Sequence, residues 1–406
     1  MSDSSIQSMH LRLAASCLLL VTFSLAVCAT SQSFGLWQTA NDSANGVTPL
    51  SNQIPPALGW HEIPDTRLQS VCPRDNFGNS GYDFNDSCRN VIAAWSGGIA
   101  DTKRNRLVIW GGGHTDYLGN ELYALDLSSL QMQRLNDPTI PLARGCPEGL
   151  GEEAPNSRHT YGNLSYLPNS DEMVSVTGSL ATCGGGSMAT WKLNLSSLRW
   201  TRLNPTGKAP FYGAGLAGTD YDPNTGNVYV SNESYGEFGY YNPGKNTYKL
   251  LSSGNITSTG MTAVIDPKRK LFFLIGGNPD SGGGVRAADI SGRDKSYIPK
   301  RLGVTDCGPA PSASYPGAAY DPIQDRIVIW AGGDTVYLFD VDKKSCKSVR
   351  FPNGPGEAQR NGTHGRFRYF SGLGVFALVN DAKQNAFVLR LTAAGSASSA
   401  ADFRAH

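Results

Sequence analysis

Three histidines are set among residues that could share chemistry with them. His114 ends the run IWGGGH (Ile109 to His114). His159 sits in RHTY, two residues before Tyr161, and His364 sits in THGRFRY, ahead of Arg366 and Arg368. An imidazole titrates near neutrality and can take or return a proton. A phenol can serve as the acid, and a guanidinium fork matches a carboxylate. Alternate residues of an extended chain share a side, so the spacing predicts that His159 and Tyr161 point together, as do His364, Arg366 and Arg368. Such a set suits proton transfer on an anionic or polyhydroxylated ligand. The glycines before His114 would let backbone amides approach that ligand, although glycines at strand ends also serve packing alone.

The elements that must position these groups repeat along the chain. The pattern is an apolar or aromatic residue, an Asp turn, then a buried run ending in glycines. It reads IADTKRNRLVIWGGG from Ile99, YDPNTGNVYVSNES from Tyr221, IDPKRKLFFLIGGN from Ile265 and YDPIQDRIVIWAGG from Tyr320, with looser copies from Tyr166 and Tyr369. Each is a hairpin in which Asp101, Asp222, Asp266 or Asp321 makes the turn. A third strand such as ELYALDL, ATWKLNL or TVYLFDV follows, and then a fourth such as LRWTRLN, NTYKLLS or CKSVRF. Four strands recurring about every 50 residues is the spacing of a propeller blade.

On these double-glycine strand ends the chain, from Trp60 to Leu391, resembles the kelch and galactose-oxidase-like propellers. The expected fold is all-β, a kelch-type propeller of six four-stranded blades; a seventh would have to come from the stretch before Trp60. The last repeat lacks a fourth strand, whereas GWHEIPDT near the start matches that pattern without a blade of its own. The N-terminal strand is therefore expected to close the ring and remove exposed sheet edges. Residues 59–392 form the propeller, preceded by an extension over 30–58 and followed by a flexible tail over 393–406.

Leu13 to Val27 is an apolar run followed by Val27-Cys28-Ala29, which reads as a cleavable export signal over 1–29. Nothing later reads as a membrane span. Six cysteines then remain, an even number that suggests disulfides in an exported chain. Sequential pairing, Cys72–Cys88, Cys146–Cys183 and Cys307–Cys346, closes three local loops. A net charge of +1 with no basic block argues against nucleic acid as a partner.

Antiparallel alternation places the approach to each first strand and the loop between strands two and three at one end of the ring. That end collects His114, His159 and His364 with Asp116, Arg158, Tyr161, Tyr212, Glu233, Tyr235, Asp334, Arg366 and Arg368. Copper-radical oxidation like that of galactose oxidase needs a Tyr-His pair on one strand, and no such dipeptide occurs. Some secreted propeller lyases resemble this layout. The resemblance implies a polysaccharide lyase acting on a uronic-acid polymer, with His159 or His114 as base, Tyr161 or Tyr235 as acid, and Arg366 or Arg368 neutralising the carboxylate. Asp116, Arg158, Glu233, Asp334 and His364 are the expected ligand-binding groups. Two alternatives are a non-catalytic glycan- or protein-binding propeller and a sugar epimerase or mutarotase. Asp116 and Glu233 are also candidates for a glycosidase pair. No cofactor is expected, although His114, Asp116 and His159 could take a divalent metal; no local spacing demands it. The expected partner is a polysaccharide and the expected state a monomer.

Overall fold

The structure, a computed structural model, describes residues 54–393 apart from 79–80, 144, 152, 212–215 and 255–257. The export signal, most of the N-terminal extension, Tyr212 and almost all of the tail lie outside the described residues. Six blades of four antiparallel strands form the ring, and the third carries an added two-residue strand, Thr206–Gly207, parallel to its outermost strand. The first runs through Gly97–Asp101, Arg106–Trp110, Tyr123–Asp126 and Gln131–Arg134, from the innermost strand outward. The innermost strands of the next five are Leu164–Leu167, Ala217–Asp222, Met261–Asp266, Gly317–Asp321 and Phe367–Phe370. Each is a neighbour of the next, and Phe367–Phe370 returns to Gly97–Asp101, so the six line one central channel.

Closure is by strand addition. Gly59–Ile63 pairs antiparallel with Ala386–Arg390 as the outermost strand of the last blade, with Trp60 opposite Leu389. Trp60 packs its ring against Trp330, Phe367 and Phe387. The start of the chain thus anchors blade six to blade five. Burial of a ring this size stabilises the join by about 3 kcal/mol.

Between blades the contact is apolar packing, and six clusters fill the six interfaces. Trp110, Trp191 and Trp200 lie between blades one and two, and Val328 and Trp330 meet Phe367 and Phe376 between five and six. Strands buried on both faces explain why the second strands read as unbroken apolar runs rather than alternating ones. The hairpin aspartates are buried turn makers. Asp101 Oδ1 accepts from Arg104 N, Asp222 Oδ1 from Asn224 N, Asp266 Oδ1 from Arg269 N and Asp321 Oδ1 from Ile323 N.

The disulfides are Cys72–Cys88, Cys146–Cys183 and Cys307–Cys346. The first ties the chain after the closing strand to two short helices, Phe84–Ser87 and Asn90–Ala93. The second joins the segment ahead of blade two to that blade's own loop between strands two and three.

Candidate functional site

At one end of the channel, five blades enter their innermost strands through a left-handed residue. These are Trp95 (φ 47°), Tyr161 (45°), Gly260 (96°), Tyr315 (46°) and His364 (49°). Holding an L-residue there costs about 1–2 kcal/mol, and such strain gathers where the surrounding structure over-determines a site. Here the over-determination is a backbone chain. Tyr161 N donates to Trp95 O at 2.6 Å, Tyr315 N to Gly260 O at 2.6 Å and Thr363 N to Tyr315 O at 2.9 Å. Four of the five carry aromatic or imidazole rings around the channel mouth.

His159 lies within this annulus and is 2 % exposed. Its ring is sandwiched between Trp95 and His114, with centroids 5.0 Å away on each side. Nε2 bonds Asp116 Oδ2 at 2.8 Å. Because an ionised carboxylate only accepts, the proton is assigned to Nε2 and the lone pair to Nδ1. Nδ1 faces the Tyr161 hydroxyl at 3.4 Å, which also bonds Ser179 Oγ at 3.1 Å. Burial pulls the His159 imidazole below its ordinary value, opposed by Asp116. Burial raises the Tyr161 phenol.

The triple glycine has a packing role. A Cβ on Gly111 would meet Ser96 Oγ at 2.2 Å, and one on Gly113 would meet Arg158 Cα at 2.2 Å. The amide of Gly113 is bonded to Tyr117 O and Ser157 Oγ. The glycines thus lay this loop against the approach to blade two, and no amide of Gly113 is left for a ligand. The consequence is that exposed His114, itself left-handed at 48°, reaches His159 across the blade boundary. Gly184 backs the His114 ring so closely that a Cβ there would sit 2.2 Å from Cδ2 and Nε2. Cys146–Cys183 holds that loop. Donor atoms of His114, Asp116 and His159 all lie within 4.8 Å of one another.

A second arm continues round the mouth. Tyr161 meets the His364 ring edge-on at 5.9 Å, and His364 lies against Tyr315 at 4.4 Å. Tyr315 donates to Glu233 Oε2 at 3.3 Å, which also accepts from Gly260 N at 2.8 Å. Burial pushes the Glu233 carboxyl up to about 8, so at neutral pH it is largely a neutral acid. Burial, then the Arg366 charge, pulls His364 down to about 3. Its Nε2 bonds Asn361 O at 2.8 Å, while the buried Nδ1 has no hydrogen-bond partner among the described residues.

The arginines are placed differently from the alternation expected of them. His364–Arg366 is a 3-10 turn rather than strand, so His364, Arg366 and Arg368 do not share a side. Arg366 is fully buried and donates to Ser96 O, Val379 O, Asn380 O and Gly362 O. Arg158, also fully buried, donates to Asn156 O, Glu148 O and Ser187 Oγ. Arg368 stands deeper in the channel, bonded to Gly365 O and 3.5 Å from Asp220. It borders the cavity at the opposite mouth, about 1140 Å³ with its opening, where Tyr166, Tyr221, Tyr320 and Tyr369 line the wall. That cavity is lined by none of His114, His159 and His364, and the convergence of proton-transfer groups lies at the other end. Tyr235 is 52 % exposed on its loop, and Asp334 accepts from Gly354 N and Arg350 on its own blade.

Trp95 and Tyr315 join the site without having been singled out. Their signal, shared with Tyr161, is an aromatic residue one or two positions before a glycine or proline on the approach to a first strand: WSGG, TYGN, SYPG.

No protein-family profile and no curated protein matches this chain. Solved structures do. A protein of unknown function from Bacteroides thetaiotaomicron aligns at TM-score 0.51 with 12% identity, covering 82% of this chain and 76% of that one. A TolB from Acinetobacter baumannii aligns at TM-score 0.41 with 14% identity, covering 64% of this chain. The present chain spans 55% of that TolB chain's length. The likeness to the Bacteroides protein is one of propeller fold, and neither match is described as a kelch or galactose-oxidase protein.

Proposed function

We propose that this chain is an exported carbohydrate-active propeller of kelch type, a lyase that cleaves a uronic-acid polymer by β-elimination at the histidine end of the channel. One observation carries the reading: Asp116, His159 and Tyr161 form a hydrogen-bonded line at a strained channel mouth. Asp116 fixes the imidazole so that it faces the Tyr161 hydroxyl, and Tyr161 is the group that exchanges protons with the sugar. In the elimination His159 Nδ1 takes the Tyr161 hydroxyl proton and the Tyr161 oxygen takes the C5 proton, while the C5–H electron pair forms the C4–C5 double bond and the C4–O bond breaks. The proton now on Tyr161 passes to the departing oxygen, and His159 returns the first proton to Tyr161. His159 holds the Tyr161 hydroxyl in place for both transfers, and exposed His114 stands where the uronate carboxylate would enter. Arg366 does not neutralise that carboxylate, since four backbone carbonyls hold its guanidinium. Three disulfides support an oxidising compartment.

The test is absorbance of unsaturated uronic products across a panel of uronate polymers, with Tyr161→Phe and Tyr235→Ala beside the parent. Loss of a positioned acid–base group costs about 10²–10⁴-fold, so Tyr161→Phe is expected to lose at least 100-fold and Tyr235→Ala to retain turnover. Silence of the folded parent across the panel refutes the lyase and favours a non-catalytic glycan-binding propeller.

A further inference from the structure

The lyase reading leaves one requirement unmet. A uronate must have its carboxylate charge neutralised before C5 will yield a proton, and among the described residues the arginines near the channel are engaged elsewhere than at His114 and His159. Arg366 and Arg158 are fully buried on backbone carbonyls and Ser187, and Arg368, bonded to Gly365 O and beside Asp220, borders a small cavity with His364 rather than with His114 and His159. What does converge at the mouth is a set of metal donors. We propose that His114, Asp116 and His159 bind one divalent ion of the zinc class, with coordination positions left open for a carboxylate and water.

The geometry of all three residues supports this. Their donor atoms already lie within 4.8 Å of one another. His114 and Asp116 are exposed, so small side-chain rotations bring these donors to the roughly 2.0–2.2 Å that zinc requires. His159 is the fixed member, clamped between Trp95 and His114. Its Nε2 faces Asp116, and its other nitrogen faces the Tyr161 hydroxyl at 3.4 Å; an ion takes the place of the Nε2 proton, so in the bound form the imidazole proton sits on Nδ1, shared with the Tyr161 oxygen. A partner on the second ring nitrogen is the support that metal-bound histidines usually have.

A simple His–Asp ion pair would account for His159 and Asp116 but not for His114. That residue and Thr115 are both held left-handed, at 48° and 71°. The His114 ring is pressed between His159 and a glycine that leaves no room for a Cβ. Two imidazoles and one carboxylate are a borderline donor set, which favours zinc-like ions over calcium or magnesium, whose sites are built from oxygen. Three protein ligands with open positions is the pattern of catalytic rather than structural zinc. Ion binding stands on this geometry alone; its role toward a uronate rests on the lyase reading.

The mature full chain, stripped with chelator, is titrated with Zn²⁺ against a chromophoric competitor and with Co²⁺ by visible absorbance. Saturation at one ion per chain is expected. His114→Ala removes an exposed ligand without opening the core and should weaken binding by about 100-fold or more. Asp116→Asn should weaken it too, and Tyr235→Ala, on the same face, should leave it unchanged. Absence of a saturable site, or equal affinity in His114→Ala and the parent, overturns the proposal. A one-to-one site lost in His114→Ala while the uronate panel stays silent upholds the ion site and removes the lyase. Turnover that survives chelation with no Zn²⁺ bound upholds the lyase and removes the ion's role toward the uronate, while the titration alone decides the site.

Discussion

Replacing Arg366 by Met separates two roles that look alike in sequence. The guanidinium makes four bonds, to Ser96 O at 2.9 Å, Val379 O at 2.6 Å, Asn380 O at 3.2 Å and Gly362 O at 2.5 Å. They tie the approach to blade six both to the start of blade one and to the loop after Val375–Leu378. Charge-assisted bonds contribute about 1.5 kcal/mol each at the low end of their range. Against that stands the burial that pulls Arg366 down to about 9, a sign that the cation is costly to hold there. Met keeps much of the aliphatic bulk and relieves that cost, by roughly 2–3 kcal/mol. The net expectation is a loss of about 3 kcal/mol, which in a domain this large lowers the melting temperature by about 6 °C. Arg366→Lys, with its charge but without the fork, should fall between. The assay is a urea and thermal melt followed by near-ultraviolet circular dichroism, beside turnover below the melt. Turnover abolished at parental stability would refute the structural assignment and return Arg366 to the substrate.

Glu233 makes stability depend on pH. Its carboxyl is raised from 4.5 to about 8 by burial, so between those values the folded chain keeps a proton that the unfolded chain has lost. Stability should therefore fall as pH rises through that window, by about 1.4 kcal/mol per unit at the steepest, and level off below pH 4.5. Urea midpoints across the window should show this slope, and Glu233→Gln should flatten it. On the lyase reading, Gly184→Val should displace His114 and reduce uronate turnover as far as His114→Ala does. Gly151→Ala provides the comparison, since Gly151 is also left-handed but has nothing within 4 Å of its Cβ position. It should cost only the backbone penalty of about 1–2 kcal/mol, read as a melting shift with turnover intact. Equal turnover in Gly184→Val and the parent would show that the His114 ring position does not matter.

Local chemistry carried much of this protein's architecture into its sequence. Asp101, Asp222, Asp266 and Asp321 make the hairpins expected of them because a carboxylate bonding an amide two or three residues on is a short-range event. The unmatched strand at Gly59–Ile63 and the unfinished last blade are complementary by count, and they pair. The cysteines join as sequential loops. Even the meeting of His159 with Tyr161 was legible from their spacing. The fate of the charges was not. Whether an arginine faces a ligand or a wall depends on carbonyls that another blade presents, and Arg366 meets Ser96 O from 270 positions away. The strand alternation assumed for His364 to Arg368 failed because a 3-10 turn intervenes, where the period is no longer two. The left-handed ring of Trp95, Tyr161, Tyr315 and His364 was likewise settled only in the assembled molecule. Its strain is held by backbone bonds passing between neighbouring blades, and no single repeat contains both partners.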